Sequence, residues 1–209
     1  YGHHVSFTLR RVKQITHSVR RLPDRLNPRI VTSMGICGID EAGRGPWAGP
    51  VVAAAVILPS MGRPKGLADS KQLTAETREE LALAIRACSM VGFGAASPTE
   101  IDQLNILQAT YLAMRRALEA LPQRPAALLI DGNAAPDFGL PTETIVDGDA
   151  HVACISAASI IAKVERDRMM IELCARHPGY AFSKLFIGTI EGKLAADTID
   201  PYKAFWGKA

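Results

Sequence analysis

The chain has 209 residues, of which 48% are hydrophobic, 22% charged and 6% aromatic, with a formal net charge of +3. This is the size and balance of one ordinary globular domain, or a domain with a short appendage; collagen, coiled coil and wholesale disorder are excluded. A chain this long buries roughly 70% of the surface its unfolded form exposes, so it needs neither disulfide nor metal staple.

The charge is unevenly spread. Residues 1–33 carry seven Lys or Arg against one acid, Asp24, which makes them +6, while the remainder is −3. They contain Pro23 and Pro28 and show no hydrophobic period, so an extension outside the core is expected: an unstructured leader, an Arg-rich targeting segment or a basic arm for nucleic acid. The acidic remainder is no general nucleic-acid sponge, and any such binding must use local positive charge. The uncharged stretch Gly45 to Gly62 is broken by Pro46, Pro50 and Pro59, and its apolar run Val51–Leu58 is of strand length, too short to span a bilayer. Cys37, Cys88, Cys154 and Cys174 lie far apart among apolar neighbours, which predicts reduced core thiols rather than a zinc site.

From Met34 the elements sharpen. Gly35–Ile39 reads as a short strand running into Asp40 and Glu41, followed by a turn-rich loop, Ala42 to Pro50. Val51–Leu58 is a β-branched strand expected to return against the first as a hairpin. Thr74 predicts an N-cap for a helix over Ala75–Cys88, with Glu76 in its first turn. Met90–Ala96 is a third strand, interrupted by Gly92 and Gly94. Ser97-Pro98-Thr99-Glu100 is a capping box with Pro at the first helical position. The helix behind it is predicted to carry Ile101, Leu104, Leu107, Tyr111, Met114, Leu118 and Leu121 on one stripe. Ala126–Ile130 reads as a buried strand ending in Asp131-Gly132-Asn133. Val152–Cys174 reads as a long helix whose Ala/Ser-rich first half packs close to a sheet. Strands alternating with helices predict an α/β sheet layered with helices.

Four acids sit where an apolar strand ends or a glycine turn begins: Asp40, Glu41, Asp131 and Asp149. Carboxylates at such places are costly to desolvate unless something positive meets them. Singly, each has a structural reading, with Asp131-Gly132 a turn and Asp149 a helix cap. Together they suggest oxygen ligands, and with no His or Cys among them they favour Mg²⁺ or Mn²⁺ over zinc. Gly43-Arg44-Gly45-Pro46-Trp47-Ala48 matches the spacing of a dinucleotide fingerprint, but Pro46 and Pro50 obstruct the helix that should open there. Gly188–Lys193 likewise fails as a phosphate loop. What remains at Gly43, Arg44 and Gly45 is an open backbone with one guanidinium beside two carboxylates, able to approach a sugar–phosphate chain closely.

The blocks Gly38-Ile39-Asp40-Glu41-Ala42-Gly43-Arg44-Gly45-Pro46, Asp69-Ser70-Lys71, Leu104-Asn105-Ile106-Leu107, Ile130-Asp131-Gly132-Asn133 and Ser156-Ala157-Ala158-Ser159-Ile160-Ile161-Ala162-Lys163-Val164 resemble, in order, type 2 ribonuclease H (ribonuclease HII). The resemblance runs from Met34 to about Phe182. It implies a ribonuclease-H-like mixed sheet flanked by helices with a C-terminal helical part, built by residues 34–209. It also implies Mg²⁺- or Mn²⁺-dependent cutting of the RNA strand in RNA–DNA hybrids, including single ribonucleotides embedded in duplex DNA. Carried over position by position, Asp40, Glu41, Asp131 and Asp149 match the metal-binding carboxylates. Gly43, Arg44 and Gly45 match the segment that feels the ribose 2′-OH. Lys71, Ser156 and Lys163 are candidate phosphate holders, whereas Glu165 and Asp167 read as surface charges. The chemistry agrees: two ions roughly 4 Å apart activate a water and relieve charge on the departing 3′ oxygen, and the 2′-OH is what distinguishes RNA at a given sugar. Glu41, adjacent to Asp40 on a strand, is expected to join it only through a turn at Ala42-Gly43.

The tail, about 183–209, departs from the pattern. Ile187 stands where the resemblance expects a tyrosine and Gly192 where it expects a histidine, so weaker cutting at single ribonucleotides is expected unless Tyr180 or Tyr202 substitutes. The expected protein is a monomeric endoribonuclease of the cytosol or the chromosome, off the membrane. The rivals are a hybrid-binding protein of little activity on the same fold, and a nucleotide-cofactor oxidoreductase, which an ordered strand at Val51–Leu58 would dismiss.

Overall fold

The computed structural model of the chain describes residues 35–46, 48–67, 70 and 73–177. The basic extension, Lys71 and the divergent tail with Tyr180, Ile187, Gly192 and Tyr202 lie outside the described residues.

Three strands open the domain as an antiparallel meander: β1 (Ile36–Ala42), β2 (Val51–Ile57) and β3 (Met90–Ala96), with α1 (Ala75–Cys88) between the last two. Two helices, α2 (Pro98–Leu104) and α3 (Ile106–Glu119), then cross over to β4 (Ala127–Asp131), which pairs parallel with β1. After β5 (Thr142–Ile145), parallel to β4, come the short α4 (Gly148–His151) and the long α5 (Ala153–Arg176). The sheet order is β3-β2-β1-β4-β5. The expected hairpin is present, and the strand at Val51–Ile57 removes the dinucleotide reading, because no helix follows Gly45.

Strand alternation sorts the sheet into two cores. Cys37, Ile39, Leu128 and Ile130 face α3, where they meet Ala109, Ala113, Met114 and Ala117. Ala54 and Val56 face the other layer, packed on Ala157, Ala158, Ile160 and Ile161 of α5 and Ala82 and Ile85 of α1. Gly38 and Asp40 belong to this second face by alternation. The Ala/Ser-rich half of α5 lies as close to the sheet as its composition predicted. A Cβ on Gly38 would sit 2.2 Å from the carbonyl carbon of Cys154.

The single helix after the capping box is two, broken at Asn105, whose φ is +69° and whose side-chain oxygen accepts from the backbone of Leu107 and Gln108 to start α3. The predicted stripe is buried only in part: Met114 and Leu121 are buried and Ile101, Tyr111 and Leu118 pack against the core, but Leu104 and Leu107 are exposed, and Ala109, Thr110, Ala113 and Ala117 complete the buried face. Small residues win because Gly92 and Gly94 on β3 admit the helix backbone at a distance that any Cβ would block. Strand β5 was not anticipated. Of the four cysteines, all free, Cys88 is exposed and only Cys37 is buried.

The capping box formed as expected. Glu100 accepts from the Ser97 amide at 2.8 Å and forms a two-pronged pair with Arg116, at 2.7 and 3.0 Å. Arg116, then the Ser97 amide, pull the Glu100 pKa from 4.5 down to about 2. A depressed carboxylate contributes stability that is present above its unfolded pKa and lost as pH falls through the folded one. Because the pair is partly exposed, its contribution is about 1 kcal/mol. Glu100→Gln should therefore lower stability by about that amount at neutral pH, and chemical denaturation should show parent and variant converging as the pH falls from 4.5 toward 2.

Candidate active site

Asp40 and Asp131 stand at corresponding ends of adjacent parallel strands. The register pairs Ile39 with Ile130, so the next residues along, Asp40 and Asp131, lie side by side. Neighbouring strands are about 4.8 Å apart, and both acids point to the α5 face. Each follows an apolar run on its strand, Asp40 near the end of β1 and Asp131 at the end of β4, which is why the sequence signal is sharp.

Asp40 is 5% exposed. Burial, then the charge of Glu41, then that of Asp131, push its pKa well above the ordinary carboxylate range. A hydrogen bond with the Ser159 hydroxyl and another from the Glu41 amide, at 2.7 Å, pull weakly the other way. Ser159 in turn shares a 2.8 Å hydrogen bond with Ser70. Glu41 leaves from the opposite face of β1, as alternation demands, and the turn expected at Ala42-Gly43 falls at the second of these residues. The strand continues through Ala42, and the chain turns at Gly43, with φ +108°. Glu41 is also 3.3 Å from the Arg44 guanidinium, an exposed pair with little hold on either partner.

Asp131 accepts a 2.7 Å hydrogen bond from the amide of Gly148, which fixes the start of α4 against β4. This brings Asp149, 7% exposed, to the same end of the sheet. Asp149 is no helix cap; the cap position is Asp147, at φ +54°, and its side chain makes no capping bond. Ser156 is buried, and its hydroxyl donates to the carbonyl oxygens of Asp149 and Val152, tying α5 to α4.

Arg44 and Gly45 are exposed at the tip of the loop after β1, with nothing within 4 Å of where a Gly45 Cβ would be. Lys163 is 2.6 Å from Asp167, which also lies 3.9 Å from Arg78. Glu165 and Asp167 are not surface charges. Glu165 is buried and paired with Arg86 at 2.6 Å and Arg168 at 3.1 Å. Arg78 donates to the carbonyls of Ser70 and Leu73.

Ser159 and Arg166 also belong to this region, although neither stands out in the sequence as a site residue. Their signal was helical spacing: Ser156, Ser159, Lys163 and Arg166 follow at steps of three and four, one polar stripe on an otherwise buried half-helix. Arg166 donates to the Pro50 and Ala48 carbonyls, at 3.1 and 3.0 Å.

Among the described residues no three His, Cys, Asp or Glu side chains close into a formed metal cage. The chemistry of the candidate donors nevertheless fits a hard divalent cation: all are carboxylate oxygens, and like charges crowd Asp40. Among the described residues no helix is long and apolar enough to cross a membrane.

The profile of the family described as Ribonuclease HII matches residues 37–186. The ribonuclease HII of Parvibaculum lavamentivorans is 53% identical over 150 residues, covering 71% of this chain but 56% of that protein. That of Maricaulis maris is 57% identical over 148 residues, covering 70% of this chain and 68% of that protein. Among solved structures, ribonuclease H2 of Pyrococcus horikoshii OT3 aligns with a TM-score of 0.61 at 28% identity, over 68% of this chain and 76% of that one. The ribonuclease HIII named Bst, in complex with Mn²⁺, shares the fold at a TM-score of 0.59 and 21% identity, over 80% of this chain and 69% of that one. With the mixed five-stranded sheet, its two helical layers and this sequence identity together, the chain belongs to the ribonuclease HII family of metal-dependent endoribonucleases.

Proposed function

We propose that this chain hydrolyses the RNA strand of RNA–DNA hybrids, including single ribonucleotides embedded in duplex DNA. Asp40, Glu41, Asp131 and Asp149 would hold Mg²⁺ or Mn²⁺. The observation that carries this reading is the juxtaposition of Asp40 and Asp131 at the ends of β1 and β4, with Glu41 close enough to raise the Asp40 pKa. A carboxylate crowded by the charges of two others, as Asp40 is by Glu41 and Asp131, is a liability to a pure phosphate binder, whose ligand is itself anionic. Such crowding suits a protein that fills the site with cations, and this separates the reading from the hybrid-binding alternative.

Bound there, the divalent ions supply an activated water and relieve the charge on the departing 3′ oxygen. The chain's own residues prepare the place. The Glu41 amide and the Ser159 hydroxyl orient Asp40, the Gly148 amide orients Asp131, and Ser156 holds the turn that presents Asp149. Gly43, Arg44 and Gly45 stand beside this cluster with an exposed guanidinium whose weak pairing to Glu41 leaves it available to a phosphate. Their backbone is suited to sense a 2′-OH at the sugar being cut. Lys71 and Lys163 would add phosphate contacts, and a single copy of the chain contains every residue invoked.

The test compares duplexes that are identical except for one ribonucleotide. Cleavage is expected at the ribonucleotide only, leaving the all-DNA duplex intact. Arg44→Ala should weaken binding and lower kcat/KM by about tenfold, blunting the preference for ribose beside the cut. An Arg44→Ala protein that discriminates like the parent and changes only in salt sensitivity makes Arg44 a phosphate contact and no more.

A further inference from the structure

Arg166 is 2% exposed; burial lowers its pKa, and the nearby charge of Asp167 raises it in part. Its partners are two backbone carbonyls, Pro50 at 3.1 Å from Nε and Ala48 at 3.0 Å from Nη2. Both carbonyls belong to the segment returning from the glycine loop to β2. The same side chain underlies the start of that loop: a Cβ on Gly43 would lie 2.5 Å from Arg166 Nε and 2.5 Å from the Pro50 oxygen, at a φ of +108°. A Cβ on Gly49 would meet Arg166 Nη2 at 3.5 Å, and Met170, one turn further along α5, at 2.3 Å. The loop is thus seated on α5 through one guanidinium, with glycines where the seat is tightest.

A buried cation whose hydrogen bonds go to carbonyls, with only the nearby charge of Asp167 acting on it besides, is an expensive way to stabilise a loop, since apolar packing serves stability as well at less desolvation cost. What a guanidinium adds is direction. Its planar fork donates along fixed lines to two acceptors at once, which neither an ammonium nor an alkyl chain can do. The helix that carries it also carries Ser159, which orients Asp40, and Ser156, which holds Asp149. The loop and the carboxylates are therefore referenced to the same rigid element.

We propose that Arg166 is a positioning residue for substrate selection: it fixes Gly43-Arg44-Gly45 relative to the carboxylate cluster, and so sets the register between the sugar that is sensed and the phosphate that is cut. This rests on the reading of that loop as the ribose sensor. Arg166→Lys keeps the charge and loses the fork; Arg166→Gln keeps one donor group and loses the charge, and serves if the lysine variant does not fold.

The experiment uses the full chain in four forms: parent, Arg166→Lys, Arg44→Ala and the double variant. Backbone amide exchange at residues 43–50 should accelerate by about tenfold or more in Arg166→Lys, with the amides of β2 and β4 unchanged. Mn²⁺ affinity by calorimetry should match the parent, while kcat/KM on a duplex with one ribonucleotide should fall by about 10- to 100-fold, the scale of a misplacement near 1 Å. The double variant should lose much less than the product of the two single losses, because both act through one loop. Parental exchange at residues 43–50 overturns the proposal, and so does faster exchange accompanied by parental cleavage and selectivity. A parent chain that cuts no ribonucleotide-bearing duplex defeats the functional reading instead, and the exchange measurement still decides whether Arg166 holds the loop.

Discussion

Asp40→Asn and Asp131→Asn are each expected to lower cleavage by about a thousandfold or more, because each keeps its shape and loses the charge that holds a divalent ion. Binding of the hybrid should survive or tighten, since repulsion of the phosphates is reduced. The stability effect runs the opposite way. The folded-state pKa of Asp40 is raised, chiefly by burial and then by Glu41 and Asp131. For a carboxyl shifted in that direction, ionisation works against folding: the penalty is absent in acid and sets in as pH rises through the unfolded and then the folded pKa. At neutral pH without metal, Asp40→Asn should therefore be more stable than the parent by about 1–2 kcal/mol, a gain typical of a relieved functional site. Saturating Mn²⁺ should raise the melting temperature of the parent and leave that of the variant nearly unmoved. Near-parental turnover in both variants would refute the assignment of these two acids.

Gly38→Ala is the substitution with the largest expected effect on the fold. Its added carbon would lie 2.2 Å from the Cys154 carbonyl carbon, 2.3 Å from its oxygen and 2.5 Å from the Ile155 nitrogen. These are backbone atoms at the start of α5, so no side-chain rotation relieves the clash, and the helix itself has to move away from β1. Overpacking of this kind costs about 3 kcal/mol, or roughly 10 °C in Tm for a domain of this size. Gly38 lies two residues before Asp40 on the same face of β1, and α5 supplies the serines that orient Asp40 and Asp149. Activity should consequently fall more than the folded fraction does. A variant with parental Tm would show that β1 and α5 do not approach each other as closely as the structure has them.

The parts of the fold legible in the sequence are those where one local rule acts alone. Thr74 begins α1 and Ser97 begins α2 because a hydroxyl before a helical stretch has few other uses, and both accept the expected amide bonds. The apolar runs ending at Asp40 and Asp131 announced β1, which continues past Asp40 to Ala42, and β4, which ends on Asp131. Strand β5 was invisible because Thr142-Glu143-Thr144-Ile145 has no apolar run of its own, and it exists through its register with β4. The two-helix crossover was misread for a related reason. A period of large residues implied one buried stripe, but glycines on β3 let α3 pack by its alanines and push Leu104 and Leu107 outward.

Within the site, the acids were legible and their supports were not. Asp40, Glu41 and Asp131 stand out by contrast with the apolar residues around them. Ser159, Arg78 and Arg166 are polar residues on helices, where sequence alone gives equal weight to solvent. Tertiary pairing across 89 residues for Ser70 with Ser159, and 116 for Pro50 with Arg166, has no local signal. Glu165 was misjudged in the same way, since its partner Arg86 comes from a different helix.

Incubating the chain with a duplex that carries one ribonucleotide, in chelator and then with Mg²⁺ or Mn²⁺ restored, is the decisive measurement. A single cut at the ribonucleotide that appears only with the metal, and that Asp40→Asn abolishes, is the expected result. Metal-independent cutting, or binding of the duplex with no cut under any metal, would contradict the assignment of Asp40, Glu41, Asp131 and Asp149 as the catalytic centre.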